Sequence, residues 1–199
     1  MLSRDREAGF TLIELTVAIA ILGIVMSAIT GAMLLALKST TEANAALAES
    51  GDVQLAAAFF PNDVAGANTM TSTGTPKCGT GTMVIELAGP DFDPATLAAT
   101  TRVVTYVRST TTGPDGLPVT QVHRLSCLSA AVTPSYPLTP DSDVRVADQL
   151  SETTAPAATC ANSAGGAVVC SAAAAVSATL VLTADSGQVT NIQGQRRAS

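Results

Sequence analysis

Large aromatic side chains are nearly missing from this chain: Phe, Tyr and Trp make up 3% of its 199 residues, and Trp does not occur. Deep ligand pockets usually lean on such rings, so the composition supplies one poorly. Positive charge is scarce as well. Lys38 and Lys77 are the only lysines, and 16 acids against 10 bases leave a net charge of −6. No basic stripe is present to hold a phosphate backbone, so nucleic acid is not an expected partner. His123 is the single histidine, and Cys78, Cys127, Cys160 and Cys170 form no Cys-x-x-Cys pair. A zinc site needs several converging ligands, commonly two of them closely spaced. No metal and no cofactor is therefore expected.

What the chain does have is apolar content, 47% hydrophobic residues, carried by small and aliphatic side chains. The length suits one ordinary domain plus one additional long element. All four cysteines lie beyond the apolar segment near the N-terminus. An even number on the far side of a membrane fits disulfides. Four cysteines allow three connectivities, and sequence does not choose among them. The expected pairing is Cys160–Cys170, closing a small loop over Gly165 and Gly166 and leaving Cys78–Cys127.

Residues 1–9 are short and charged, with Arg4 and Arg6 interleaved with Asp5 and Glu7, and they end at Gly9. From Leu15 to Leu37 no residue is charged, and Lys38 closes the run. At about 1.5 Å per helical residue this covers a hydrocarbon core of roughly 30 Å. The arginines would stay cytoplasmic and send the C-terminal part outward. A secretory signal places its small residue after the apolar region. Here Gly9 precedes it, so a cut there would leave the whole apolar helix on the mature chain. Glu14 is a carboxylate inside that helix, costly in lipid unless it is paired. Cleavage after Gly9 would create an α-amino group on Phe10, and Glu14 of a neighbouring subunit could pair with it.

The stretch Gly9-Phe10-Thr11-Leu12-Ile13-Glu14-Leu15 resembles, position by position, the prepilin signal of type IV pilins and type II secretion pseudopilins. That resemblance implies cleavage by prepilin peptidase after Gly9, N-methylation of Phe10, and guidance of assembly by Glu14. It also implies a structural subunit rather than an enzyme, with other pilin or pseudopilin subunits and an inner-membrane assembly platform as partners. The location would be the cytoplasmic membrane, single-pass with the head outside, and then an extracellular or periplasmic filament.

Past Lys38 an apolar ladder of Ala43, Leu47, Leu55 and Phe59, with Gly51 in the gap, predicts a continuing helix with one buried stripe. Pro61 is expected to break it, with a last short turn ending at Gly66. The domain reading is a leader at 1–9, a membrane and filament-core segment at 10–37, an amphipathic continuation at 38–66 and a β-rich head at 67–199. Within the head, Thr82–Leu87 and Val144–Val146 read as strands. Thr101–Arg108 and Val119–Cys127 read as a hairpin around Gly113-Pro-Asp-Gly116, and Ala174–Thr183 with Gln188–Gln193 as another around Asp185-Ser-Gly187. Thr133–Asp143 is expected as a loop and Ser151–Gly166 as a mobile segment. The fold class is α+β: a long N-terminal helix and an antiparallel head, pilin-like. Asp63-Val64, the Tyr106 strand and Arg124-Leu125 further resemble the J-type minor pseudopilins.

The remaining polar residues read structurally. His123 is expected as a hydrogen-bonded strand histidine, since no orienting partner marks it as catalytic. Asp91 with Asp93, and Asp141 with Asp143, read as turn formers rather than cation ligands. Arg196 and Arg197 read as a solvated tail. The competing class is a membrane-anchored binding module that captures a surface, a substrate or DNA.

Overall fold

The computed structural model describes residues 11–92, 98–114, 116–129 and 136–197, apart from the side chains at 41–50, 52 and 53. The chain divides into two compact units, Met1–Leu47 and Ala48–Ser199. Helix α1, Leu12–Gly66, is 55 residues long. Its stretch Leu12–Thr40 is long and apolar enough to cross a membrane, and its side chains are all exposed. The hydroxyls in it bond back to their own helix: Thr16 to the Ile13 carbonyl at 2.9 Å, Ser27 to Ile24 at 2.8 Å and Thr30 to Met26 at 2.8 Å. Each thus finds an acceptor without water, as hydrocarbon surroundings demand.

The second unit is an antiparallel head. One sheet has the order β1-β2-β3-β4-β5, with β1 at Thr69–Thr71, β2 at Thr82–Phe92, β3 at Ala99–Thr112, β4 at Pro118–Ser129 and β5 at Ser142–Leu150. The other has the order β7-β6-β8-β9, with β6 at Ala157–Ala161, β7 at Ala167–Val168, β8 at Ser177–Thr183 and β9 at Val189–Gln195. The β3–β4 hairpin turns at Gly113–Gly116, where Gly116 takes a φ of 81° and its amide donates to the Gly113 carbonyl at 3.0 Å. That left-handed position favours glycine. The architecture is α+β and pilin-like.

Five consecutive residues of β3, Val103 to Val107, are buried. Alternation disappears because both faces of this sheet are covered. Val104 and Tyr106 join the main core with Phe60, Val64, Ile85, Leu87, Val122, Leu180 and Ile192. Val103 and Val107 join a smaller cluster with Leu125 and the Cys78–Cys127 disulfide on the other face. The second disulfide joins Cys160 to Cys170.

Several expectations are corrected here. Pro61 does not break the helix, which runs through it to Gly66. Burial of Phe60 and Val64 on either side holds that turn, and Asn62 donates its side-chain amide to the Ala58 carbonyl at 2.9 Å. The buried stripe is Ala56, Phe60 and Val64, one position from the expected ladder, whose Leu55 is exposed. Rows spaced by four lie side by side on a helix, and only the packed partner selects one. Ala43 and Leu47 carry side chains outside the described set. Ser151–Gly166 is not structureless: it contains β6, which is paired to β8 and tied by Cys160. Ser142 and Asp143, expected in a loop, begin β5, whereas β8 begins at Ser177 rather than Ala174. Arg196 and Arg197 are docked, not a free tail. Their amides donate to the Val176 and Ala65 carbonyls at 2.8 and 3.4 Å, and an Arg196 guanidinium nitrogen donates to Ala175 O at 2.9 Å.

Candidate assembly site and helix–head junction

Gly9 and Phe10 lie outside the described residues. Immediately after them, Thr11 and Glu14 close the start of α1 on each other. The Glu14 amide donates to Thr11 Oγ1 at 3.3 Å, while the Thr11 amide and hydroxyl approach Glu14 Oε2 at 3.5 and 3.4 Å. This reciprocal arrangement is a capping box, which satisfies amides that a helix start leaves orphaned. Glu14 is the only carboxylate between Leu12 and Lys38, and it sits at the end of the helix where the dipole favours negative charge. The carboxylate is thereby held in the first turn of the helix, four residues after Phe10 in the sequence. The Thr-x-x-Glu signature of this cap is present in the sequence at Thr11–Glu14.

The second constellation lies within the head, where the last turns of α1 meet β3 and β4. Asp63 accepts from Tyr106 Oη at 2.7 Å and from Arg124 Nε and Nη2 at 2.7 Å each. Arg124 and Asp63 are only 12% and 11% exposed, so their bidentate pair is largely desolvated. Such a fork-to-fork pair is directional as well as strong. The Arg124 guanidinium also lies over the Phe59 ring at 4.9 Å, and Phe60 meets Tyr106 edge to face with centroids 5.4 Å apart. Burial pushes the Tyr106 hydroxyl well above its ordinary range, and the Asp63 carboxylate adds to that. Hydrogen bonding to Asp63 raises Arg124 against the opposing effect of burial. Of the residues that carry the resemblance to J-type pseudopilins, Asp63, Tyr106 and Arg124 are thus brought together as one buried clamp, whereas Leu125 faces the Cys78–Cys127 cluster. They do chemical work only in the sense of fixing the helix end on the sheet.

Two glycines allow that approach. A Cβ on Gly194 of β9 would stand 2.6 Å from Val64 Cβ, and one on Gly89 of β2 would stand 2.0 Å from the Gly66 carbonyl oxygen. The helix end is therefore seated by both sheets at positions that accept no side chain.

The sequence assigns no role to Glu86 or Arg102, whereas Asp91, Asp141 and Asp143 are expected as turn formers and His123 as a strand histidine. Glu86 is 3% exposed on β2 and accepts from the Lys77 amide at 2.7 Å, with Lys77 Nζ at 3.5 Å. Arg102 bridges Asp91 and Ser126. The Phe92 amide and then Arg102 hold the Asp91 carboxyl below its usual range. Asp141 accepts from the Leu128 amide at 2.8 Å, and Asp143 contacts His123. Asp93 lies outside the described residues. A buried strand carboxylate such as Glu86 leaves no periodic trace, because it is satisfied by the irregular loop that precedes its strand and by Thr105 of the neighbouring strand.

The class these features define is an α+β, pilin-like chain behind a prepilin-type signal. Residues 4–30 match the prokaryotic N-terminal methylation motif family. No curated protein and no solved structure gives a significant match to the chain.

Proposed function

We propose that this chain is the precursor of a structural subunit, in a minor role, of a type IV pilus or type II secretion pseudopilus. The observation that carries this reading is the methylation motif over residues 4–30 running directly into an apolar, membrane-length helix. Prepilin peptidase removes residues 1–9 and the new amine of Phe10 is methylated. Residues 10–37 then serve as membrane anchor and filament core, 38–66 as the continuing helix and 67–199 as the head. Before assembly the chain is held in the cytoplasmic membrane with its head outside. The assembly platform then draws it into an extracellular or periplasmic filament.

Glu14 guides that step by electrostatics. Its carboxylate is capped by Thr11 in the isolated chain, and in the filament it meets the Phe10 amine of a neighbour. An opposite charge offsets the desolvation that packing a bare carboxylate among apolar helices would cost. No bond chemistry beyond maturation is required of the subunit.

Terminal sequencing and intact mass of the protein from its native host test this reading. The mature chain should begin at methylated Phe10, Gly9→Ala should stay uncut, and Glu14→Ala should be cut yet fail to join filaments. A chain that keeps Met1 while reaching the cell envelope would overturn it and leave a single-pass anchored binding module.

A further inference from the structure

A cleft of about 400 Å³ opens on the head, on the face of the larger sheet turned away from the main core. Val107 of β3 and His123 and Leu125 of β4 form one side of it, and residues 137–140 form the other. That second wall is pinned at both ends. Leu138 donates its amide to the Lys77 carbonyl at 2.7 Å and accepts from the Gly79 amide at 2.9 Å, next to the Cys78–Cys127 disulfide. Asp141 donates its amide to the Ser126 carbonyl at 2.8 Å and accepts from the Leu128 amide. The cleft is therefore preformed, and a ligand entering it has little of the protein left to order.

The lining decides what chemistry fits. Aliphatic and proline side chains supply most of the surface: Val107, Leu125, Pro137, Leu138 and Pro140. No aromatic ring lines it among the described residues, so a flat ring finds no stacking platform. Asp143 is the only carboxylate among the described lining residues, and neither lysine nor arginine joins it. Its side chain is 57% exposed, and His123 Nδ1 engages Oδ1 at 2.7 Å, which leaves Oδ2 open to a ligand. Ser109 adds a hydroxyl that is shut off from solvent and has no hydrogen-bond partner among the described residues. Hydroxyls answer donors and acceptors alike, so the carboxylate sets the sign. An aliphatic stem carrying a cationic donor group matches both surfaces. Guanidinium suits it better than ammonium, since its planar fork meets two oxygens at once and it is more weakly hydrated.

We infer that this cleft is a docking site for an arginine side chain presented by a basic protein that the head meets. A second copy is the poorer partner, because chains of net charge −6 repel each other. Such docking needs no cleavage at Gly9, so its failure would leave the maturation reading intact.

Full-length protein in detergent micelles, methyl-labelled at Val and Leu, provides the test. The probes are N-acetyl-arginine N-methylamide and its citrulline counterpart, which keeps the shape and loses the charge. Saturable shifts are expected at Val107, Leu125 and Leu138, with arginine bound about fivefold tighter, the upper worth of a partly exposed ion pair. Asp143→Asn should bring arginine down to the citrulline level. Thr139→Trp, on the exposed wall, should abolish binding of both. Leu180 and Leu182 of the main core should keep their methyl signals in both variants, which separates a lost site from a misfolded head. No saturable shift with arginine, equal affinity for the two probes, or an arginine preference that survives Asp143→Asn would overturn the proposal. Self-association that vanishes in Asp143→Asn would overturn the choice of partner and put the arginine on a second copy.

Discussion

At the scale of single residues, the junction between α1 and the head rests on one carboxylate. Asp63 collects a phenol and a guanidinium in a nearly water-free setting, so removing a partner leaves charge buried without compensation. Arg124→Ala should destabilise the head by roughly 3 kcal/mol, read as a lower denaturation midpoint in detergent. Tyr106→Phe removes one hydrogen bond to a charged group and keeps the ring packed on Phe60, so about 1.5 kcal/mol is expected. The phenol also gives a pH prediction. Its folded value lies above its unfolded value of about 10. Its contribution is therefore complete below about pH 10 and is lost as pH rises beyond, because the unfolded chain ionises first. In a Tyr136→Phe background the phenolate absorbance of Tyr106 should appear only together with unfolding.

Among elements, helix and sheets meet through glycine. Gly194→Val would drive side-chain carbon into Val64, where even the first atom sits 2.6 Å from Val64 Cβ. Overpacking of this kind should cost about 1–3 kcal/mol. Gly89→Ala meets a backbone oxygen at 2.0 Å instead, which cannot rotate away, so thermal unfolding should show the larger loss there. Equal stability of both variants to wild type would mean that the helix end shifts freely on the sheets. The same contacts explain the helix register. Four-residue rows on an Ala-rich helix are nearly interchangeable by composition, and Phe59 was the natural choice from periodicity. Phe60 is buried instead because it packs edge to face on Tyr106 and Val64, one turn on, fills the space at Gly194, while Phe59 is left to cover Arg124.

For the whole molecule, the two disulfides act on different distances. Cys78–Cys127 spans 49 residues and Cys160–Cys170 spans 10. If their main effect is on the unfolded chain, the first is worth about 4 kcal/mol and the second about 3 kcal/mol. Paired Cys→Ser variants should show that order in denaturant unfolding. A reversed order would indicate that the Cys160–Cys170 loop organises β6 and β7 beyond closing them. The exposed apolar stretch of α1 sets the other global property. Without lipid, detergent or neighbouring helices it is a large unpartnered apolar surface, so solubility should be recovered on truncating residues 1–40.

The sequence by itself determined the N-terminal story. Charge, a small residue, a membrane-length apolar run and one carboxylate are local features, readable along the chain without knowing what folds against what. The β3–β4 and β8–β9 hairpins were legible for the same reason, since turn chemistry and strand propensity act over a few residues. Tertiary structure alone decided the rest. It carried the helix through Pro61, because packing of Phe60 and Val64 outweighs one lost backbone bond. It moved the buried stripe by one residue, gathered Asp63, Tyr106 and Arg124 from three elements, and made a strand of a segment rich in Ala and Thr. Each of those outcomes depends on a partner dozens of residues away, where the free energy of burial and of desolvated hydrogen bonds is settled by the fold and leaves no periodic mark in sequence.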